Sequence, residues 1–117
     1  MLIEILLGPE DGKIKEINAD RIVFGREAGC DVFFPYAGKV SNPHAVIVRQ
    51  DDGYHLIDVG KAGEGSTNGT LILRNNGDHV KIWRMKQNPP LPGERVPIEK
   101  GDIVILGDSI WFRVLGG

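Results

Sequence analysis

The chain has 117 residues, 41% hydrophobic and 26% charged, the composition of one globular domain with a single core. Its net charge of −2 excludes the clearly basic face on which DNA- or RNA-binding domains rely. The single cysteine, Cys30, excludes an internal disulfide and a cysteine zinc cluster, and no apolar run approaches the ~18 residues of a membrane-spanning helix.

Met1–Leu7 contains Glu4 and no basic leader, so it is read as a first strand, Leu2–Leu7, and not as a signal peptide. A soluble, cytoplasmic domain is expected. Further strands are expected at Lys13–Ile17, Arg21–Phe24, Asp31–Phe34, Ala45–Arg49, Tyr54–Val59 and Thr70–Leu73. The last four are His79–Arg84, Arg95–Ile98, Asp102–Leu106 and Ile110–Leu115. Period-two alternation supports several of them: Ile110, Phe112 and Val114 share one face, and Trp111 and Arg113 share the other. Val80 and Ile82 pair in the same way, as do Ile103 and Ile105. Turn signals stand between the strands at Gly8-Pro9, Asp11-Gly12, Asp52-Gly53, Asn76-Gly77, Pro92-Gly93 and Gly101-Asp102. Lys13–Phe24 and Asp78–Asn88 lack the apolar stripe and cap of a helix, though either has room for a helical turn. About eleven short strands at regular spacing predict an all-β, antiparallel sandwich over residues 1–117, whose loops cluster at its two ends.

Three loop-placed runs carry chemistry: Phe24-Gly25-Arg26, Val40-Ser41-Asn42-Pro43-His44-Ala45 and Ser66-Thr67-Asn68-Gly69-Thr70. Arg26 brings a planar, permanent cation able to give two parallel hydrogen bonds to a phosphate. Ser41 offers a hydroxyl and a backbone N–H, and Thr67 a second hydroxyl. Asn68 can donate to and accept from an extended peptide backbone. Gly69 permits positive φ or a close approach. A phosphate ester carries about −1.5 to −2 charge and three acceptor oxygens, so one Arg with two or three neutral donors matches it, and Lys39 stands near as a further cation.

The order Gly-Arg, Ser-x-x-His, Ser-x-Asn-Gly resembles the forkhead-associated (FHA) domain, a phosphothreonine-reading module. The tail Gly101-Asp102-Ile103-Val104-Ile105-Leu106-Gly107 resembles the family's ending, and the likeness runs from about Ile5 to Val114. It implies an FHA/SMAD-like sandwich that binds a threonine-phosphorylated protein or peptide, with no cofactor, no metal and no catalysis. By position, Arg26, Ser41 and Thr67 match phosphate contacts, and Asn68 matches the amide that holds the ligand backbone. Gly25, His44 and Gly69 match structural positions. Asn42 stands where the family often has Arg or Lys. It is expected to donate to the phosphate without charge, so Asn42→Arg is expected to raise affinity. Ser66 is a further auxiliary candidate. Two stretches depart from the pattern: a glycine-rich insertion at Lys61–Gly65, and a longer loop or extra hairpin at 74–94.

Other motifs are set aside. Gly60–Gly69 lacks Gly-Lys-Ser/Thr in order and precedes a strand, so it is no P-loop. His44, His55 and His79 are too scattered for a metal site. Pro89-Pro90-Leu91-Pro92 is read as a plain loop before a polyproline ligand. The alternative to phosphate reading is a phosphate-independent scaffolding or oligomerisation domain that assembles through a sheet face or the Arg74–Glu94 excursion, with an exposed Trp83 or Trp111 as anchor.

Overall fold

The computed structural model describes residues 1–51 and 53–116. Among these residues eleven strands run in chain order: β1 (Leu2–Leu7), β2 (Ile14–Glu16), β3 (Arg21–Gly25), β4 (Val32–Phe33), β5 (Ala45–Gln50), β6 (Gly53–Asp58), β7 (Thr70–Leu73), β8 (His79–Ile82), β9 (Val96–Ile98), β10 (Ile103–Leu106) and β11 (Ile110–Gly116). Each corresponds to an expected strand, with ends moved by a residue or two. The expected turn at Asp52-Gly53 falls partly on Asp52, which lies outside the described residues. Neither ambiguous segment forms a helix. Lys61–Gly63, inside the glycine-rich insertion, makes a tight turn with Ala62 in the left-handed region at φ 59°. No helix among the described residues is long and apolar enough to cross a membrane.

The strands form two sheets, a six-stranded one in the order β2-β1-β11-β10-β7-β8 and a five-stranded one in the order β4-β3-β5-β6-β9. All pairings are antiparallel except β3 with β4. Alternation decides what each sheet sends inward. Ile3, Ile5, Ile72, Val104, Ile110, Phe112 and Val114 come from the first sheet; Ile22, Phe24, Ala45, Ile47 and Leu56 come from the second. Phe24 and Phe112 stack across the gap with centroids 5.0 Å apart. Burying an aliphatic or aromatic side chain of this size stabilises by about 1.5–3 kcal/mol. Ile105 is buried too, but on the outer face of its sheet, opposite Trp111 and Leu71.

Register brings the three loop-placed runs to one end of the sandwich. Ala45 lies opposite both Phe24 and Asp58. The end of β3, the start of β5 and the end of β6 are therefore side by side. In the other sheet, Thr70 lies opposite both Leu106 and Ile82, which aligns the start of β7 with the ends of β10 and β8. The long loop from β4 to β5 is pinned into the core by buried Phe34, Ala37 and Val40. Two successive tight turns link them, with Ala37 N–H on Phe34 O and Val40 N–H on Ala37 O, both 3.0 Å. Ser41 therefore starts from a fixed point.

Candidate functional site

At this end of the molecule an open depression of about 230 Å³ is lined by Arg26, Lys39, Ser41, Asn42, Lys61, Thr67 and Asn68, with Gly38 and Val40. The sequence expectations named all of the polar side chains among these for the site except Lys61. That lysine lies in an insertion whose path depends on loop geometry. Three cations therefore border one small concavity on a chain whose net charge is −2.

Arg26 leaves the end of β3 and crosses to the β4–β5 loop, where its Nη1 lies 3.4 Å from Gly38 O and 3.5 Å from Val40 O. These are long contacts, made in a partly exposed position. A side chain at Gly25 would displace its neighbours, because a Cβ there would sit 2.5 Å from Cys30 Sγ and 2.8 Å from Asn42 Oδ1.

The close approach at Gly25 shows what Asn42 Oδ1 does, and it changes the outcome expected for Asn42→Arg. Asn42 Oδ1 accepts from Arg26 N–H at 3.2 Å, from Glu27 N–H at 2.9 Å and from the Cys30 thiol at 3.3 Å. Its amide oxygen thus ties the 26–30 loop to the β4–β5 loop. Asn42 borders the depression, and its Oδ1 braces the backbone that carries Arg26, while the expected donation to a phosphate would come from its other amide atom, Nδ2. Asn42→Arg would remove that acceptor, so it is expected to lower affinity rather than raise it. Asn42→Ala should cost about 0.5–1.5 kcal/mol in denaturant unfolding, because the part-buried Arg26 N–H and the exposed Glu27 N–H lose their acceptor. Asn42→Asp keeps the oxygen and should retain most of that stability.

Ser66, the auxiliary candidate, faces inward. It is buried, and both its N–H and its hydroxyl bond Asp58, at 2.6 Å each. Its place is beneath the site. Ser41 keeps its position in the depression, but its backbone N–H is committed, donating to His44 Nδ1 at 2.9 Å. The Ser41 hydroxyl oxygen accepts the Thr67 N–H at 3.0 Å, which joins the two loops directly. Asn68 Nδ2 donates to Lys39 O at 3.0 Å and closes the same seam from the other side.

A buried polar chain supports this arrangement. His44 is fully buried at the start of β5. Since Nδ1 accepts from Ser41, Nε2 carries the proton and donates to Gly69 O at 2.8 Å, with Thr70 Oγ1 at 3.2 Å. Thr70 in turn donates to Asp58 Oδ2 at 2.7 Å. One imidazole thus bridges the two sheets and holds the loops at Ser41 and Gly69. Gly69 has φ +81°, and a Cβ there would lie 3.1 Å from Ile82 O and 3.4 Å from Trp83 Cδ1. Its carbonyl also accepts Gly107 N–H at 3.0 Å.

Asp58 was not among the expected site residues. Its signal was present in β6, where the inward phase runs through Leu56 and Asp58, so alternation alone places a carboxylate in the interior. A buried carboxylate requires partners, and the hydroxyls of Ser66 and Thr70 with the Ser66 N–H supply them.

Burial pushes the His44 imidazole below its ordinary value of 6.5, against the upward pull of Asp58 and of the Gly69 carbonyl. Protonation would set a proton on Nδ1 against the Ser41 N–H. The unfolded chain therefore binds this proton more readily than the folded one, and stability rises with pH through this group. Its full contribution is present above about pH 6.5 and declines as pH falls toward the lowered folded-state value. Urea midpoints measured from about pH 7.5 down to about 5.5 should fall in the wild type. A flat profile would contradict a neutral, buried His44.

Comparison with known proteins gives a consistent result. A family model described as FHA domain matches residues 22–107. No curated protein matches the chain by sequence. Among solved structures, the Slr1951 protein from Synechocystis sp. is 24% identical, with a TM-score of 0.71 over 99% of this chain and 94% of that one. The FHA domain of an Arabidopsis thaliana hypothetical protein is 21% identical, with a TM-score of 0.72 over 99% of this chain and 86% of that one. The N-terminal FHA domain of S. cerevisiae Rad53p, solved in complex with a phosphothreonine peptide, is 19% identical, with a TM-score of 0.69 over 100% of this chain and 94% of that one. At these identities the structures establish a shared fold.

Proposed function

Given that the chain belongs to the FHA domain family, we propose that it is a binding module for a threonine-phosphorylated segment of a partner protein, seated in the depression bordered by Arg26, Ser41 and Thr67. Arg26 gives the phosphate a guanidinium fork. The Ser41 hydroxyl, whose oxygen already accepts from Thr67, turns its own hydrogen outward to a phosphate oxygen. Lys39 and Lys61 add positive potential at the rim, and the Thr67 hydroxyl adds a donor. Asn68, with Nδ2 held by Lys39 O, turns its Oδ1 to a peptide N–H beside the phosphorylated residue. Charge-assisted bonds of this kind contribute about 1.5–3 kcal/mol each. The reading is one of recognition without chemistry on the ligand.

The observation that carries it is the convergence of Arg26, Ser41, Thr67 and Asn68, drawn from three separate loops, on one concavity. The family assignment agrees with it, as does the phosphothreonine peptide bound by the Rad53p domain. The test is a titration with a degenerate phosphothreonine peptide library and its unphosphorylated counterpart. Binding confined to the phosphorylated library is the expected result. Equal binding of both would favour a scaffolding domain instead.

A further inference from the structure

Thr67 and Asn68 lie on a loop, Gly60–Gly69, that is gripped from both sides. The inner grip is the Asp58–Ser66 pair, with Ser41 on the Thr67 N–H. The outer grip comes from the long excursion after β8. The Trp83 indole N–H donates to Thr67 O at 3.4 Å, and a Cβ at Gly69 would lie 3.4 Å from Trp83 Cδ1 and 3.6 Å from its Cβ, so the base of the residue packs over Gly69. Further along, a Cβ at Gly65 would sit 2.7 Å from Pro92 Cγ and 3.0 Å from Arg84 Cβ, so the loop backbone rests directly on both. Gly93 N–H donates to Asp58 O at 2.9 Å and fixes the far end of the excursion to β6. The two insertions that depart from the family pattern, 61–65 and 74–94, are therefore packed against each other.

We propose that Trp83 and Pro92 are positioning residues that hold Gly65–Gly69 in its binding shape, an inference that rests on reading the depression as the phosphate site. Neither residue lines that depression. A loop that is already ordered has less conformational freedom to lose when a ligand binds, so a brace behind it raises affinity without touching the ligand. Trp83 also borders a neighbouring cleft of about 280 Å³ beside Asn68, Leu71 and Lys81, where a peptide has direct access to it; Pro92 borders neither depression. The two residues therefore separate bracing from contact.

The experiment compares wild type, Trp83→Ala, Trp83→Phe and Pro92→Gly in three measurements. These are affinity for the phosphothreonine library, affinity for N-acetyl-phosphothreonine amide, and amide hydrogen exchange at Thr67 and Asn68 without ligand. Trp83→Ala and Pro92→Gly should each weaken both ligands tenfold or more and speed exchange at both amides, with unfolding midpoints close to wild type. Trp83→Phe keeps the ring over Gly69, loses only a long hydrogen bond, and should recover most of the affinity. Unchanged exchange in Pro92→Gly would overturn the proposal. So would a loss confined to Trp83→Ala and the longer peptides, which would mean direct contact. If wild type fails to discriminate phosphate, the functional reading falls, and the exchange rates alone still decide whether the brace exists.

Discussion

Replacing Arg26 by alanine is expected to weaken binding of a phosphothreonine peptide by roughly 10- to 100-fold or more, the loss of one or two charge-assisted bonds. The fold should hardly notice. The Arg26 guanidinium makes only two long contacts, at 3.4 and 3.5 Å, to carbonyls at the loop surface, and surface changes of this kind usually stay within about 0.5 kcal/mol. Calorimetric titration beside a urea unfolding curve separates the two effects. Arg26→Lys refines the test. It restores the charge without the planar fork, so its affinity should fall between wild type and Arg26→Ala. A variant that lost binding and stability together would mean that Arg26 serves the fold before the ligand.

The largest effect on stability is expected at Asp58. Asp58→Ala leaves the Ser66 N–H, the Ser66 hydroxyl and the Thr70 hydroxyl buried without their acceptor. The expected cost is about 3–5 kcal/mol, read from the shift in denaturant midpoint. Asp58→Asn should be much milder. Its oxygen can still take the Ser66 N–H, and the two hydroxyls can rotate to accept from its amide nitrogen. Binding should follow the same order, because Ser66 immediately precedes Thr67 and sets where it emerges. Equal stability of all three proteins would remove Asp58 from the support of the site.

Much of this was legible in the sequence because sandwich strands declare themselves locally. Ile110, Phe112 and Val114 alternate with Trp111 and Arg113, and the structure puts the first three in the core. Glycine and proline pairs mark where one strand stops and the next begins. Arg26, Ser41, Thr67 and Asn68 were legible as a set because their order along the chain matches a family pattern. What the sequence hid is long-range geometry. Asn42 was read from its neighbour Ser41, as a weak substitute for a cation. Its acceptor role depends on the N–H groups of Arg26 and Glu27, sixteen and fifteen residues away. Ser66 looked like one more hydroxyl beside Thr67, and only the burial of Asp58 turns it inward. Lys61 and Trp83 lie in or beside insertions, where no alternation constrains the path, so their approach to the binding loop had no local signature. Asp58 is the exception: an acid in the inward phase of a strand was visible and implied the hydroxyl partners it has.

The central claim is that three loops at one end of the sandwich form a single phosphate site. Amide chemical-shift mapping during titration with a phosphothreonine peptide library tests it most directly. The shifts should concentrate at Arg26, Ser41, Thr67 and Asn68 and be absent with the unphosphorylated library. Shifts of equal size with both libraries, or shifts centred on the outer sheet face around Trp111, would contradict it.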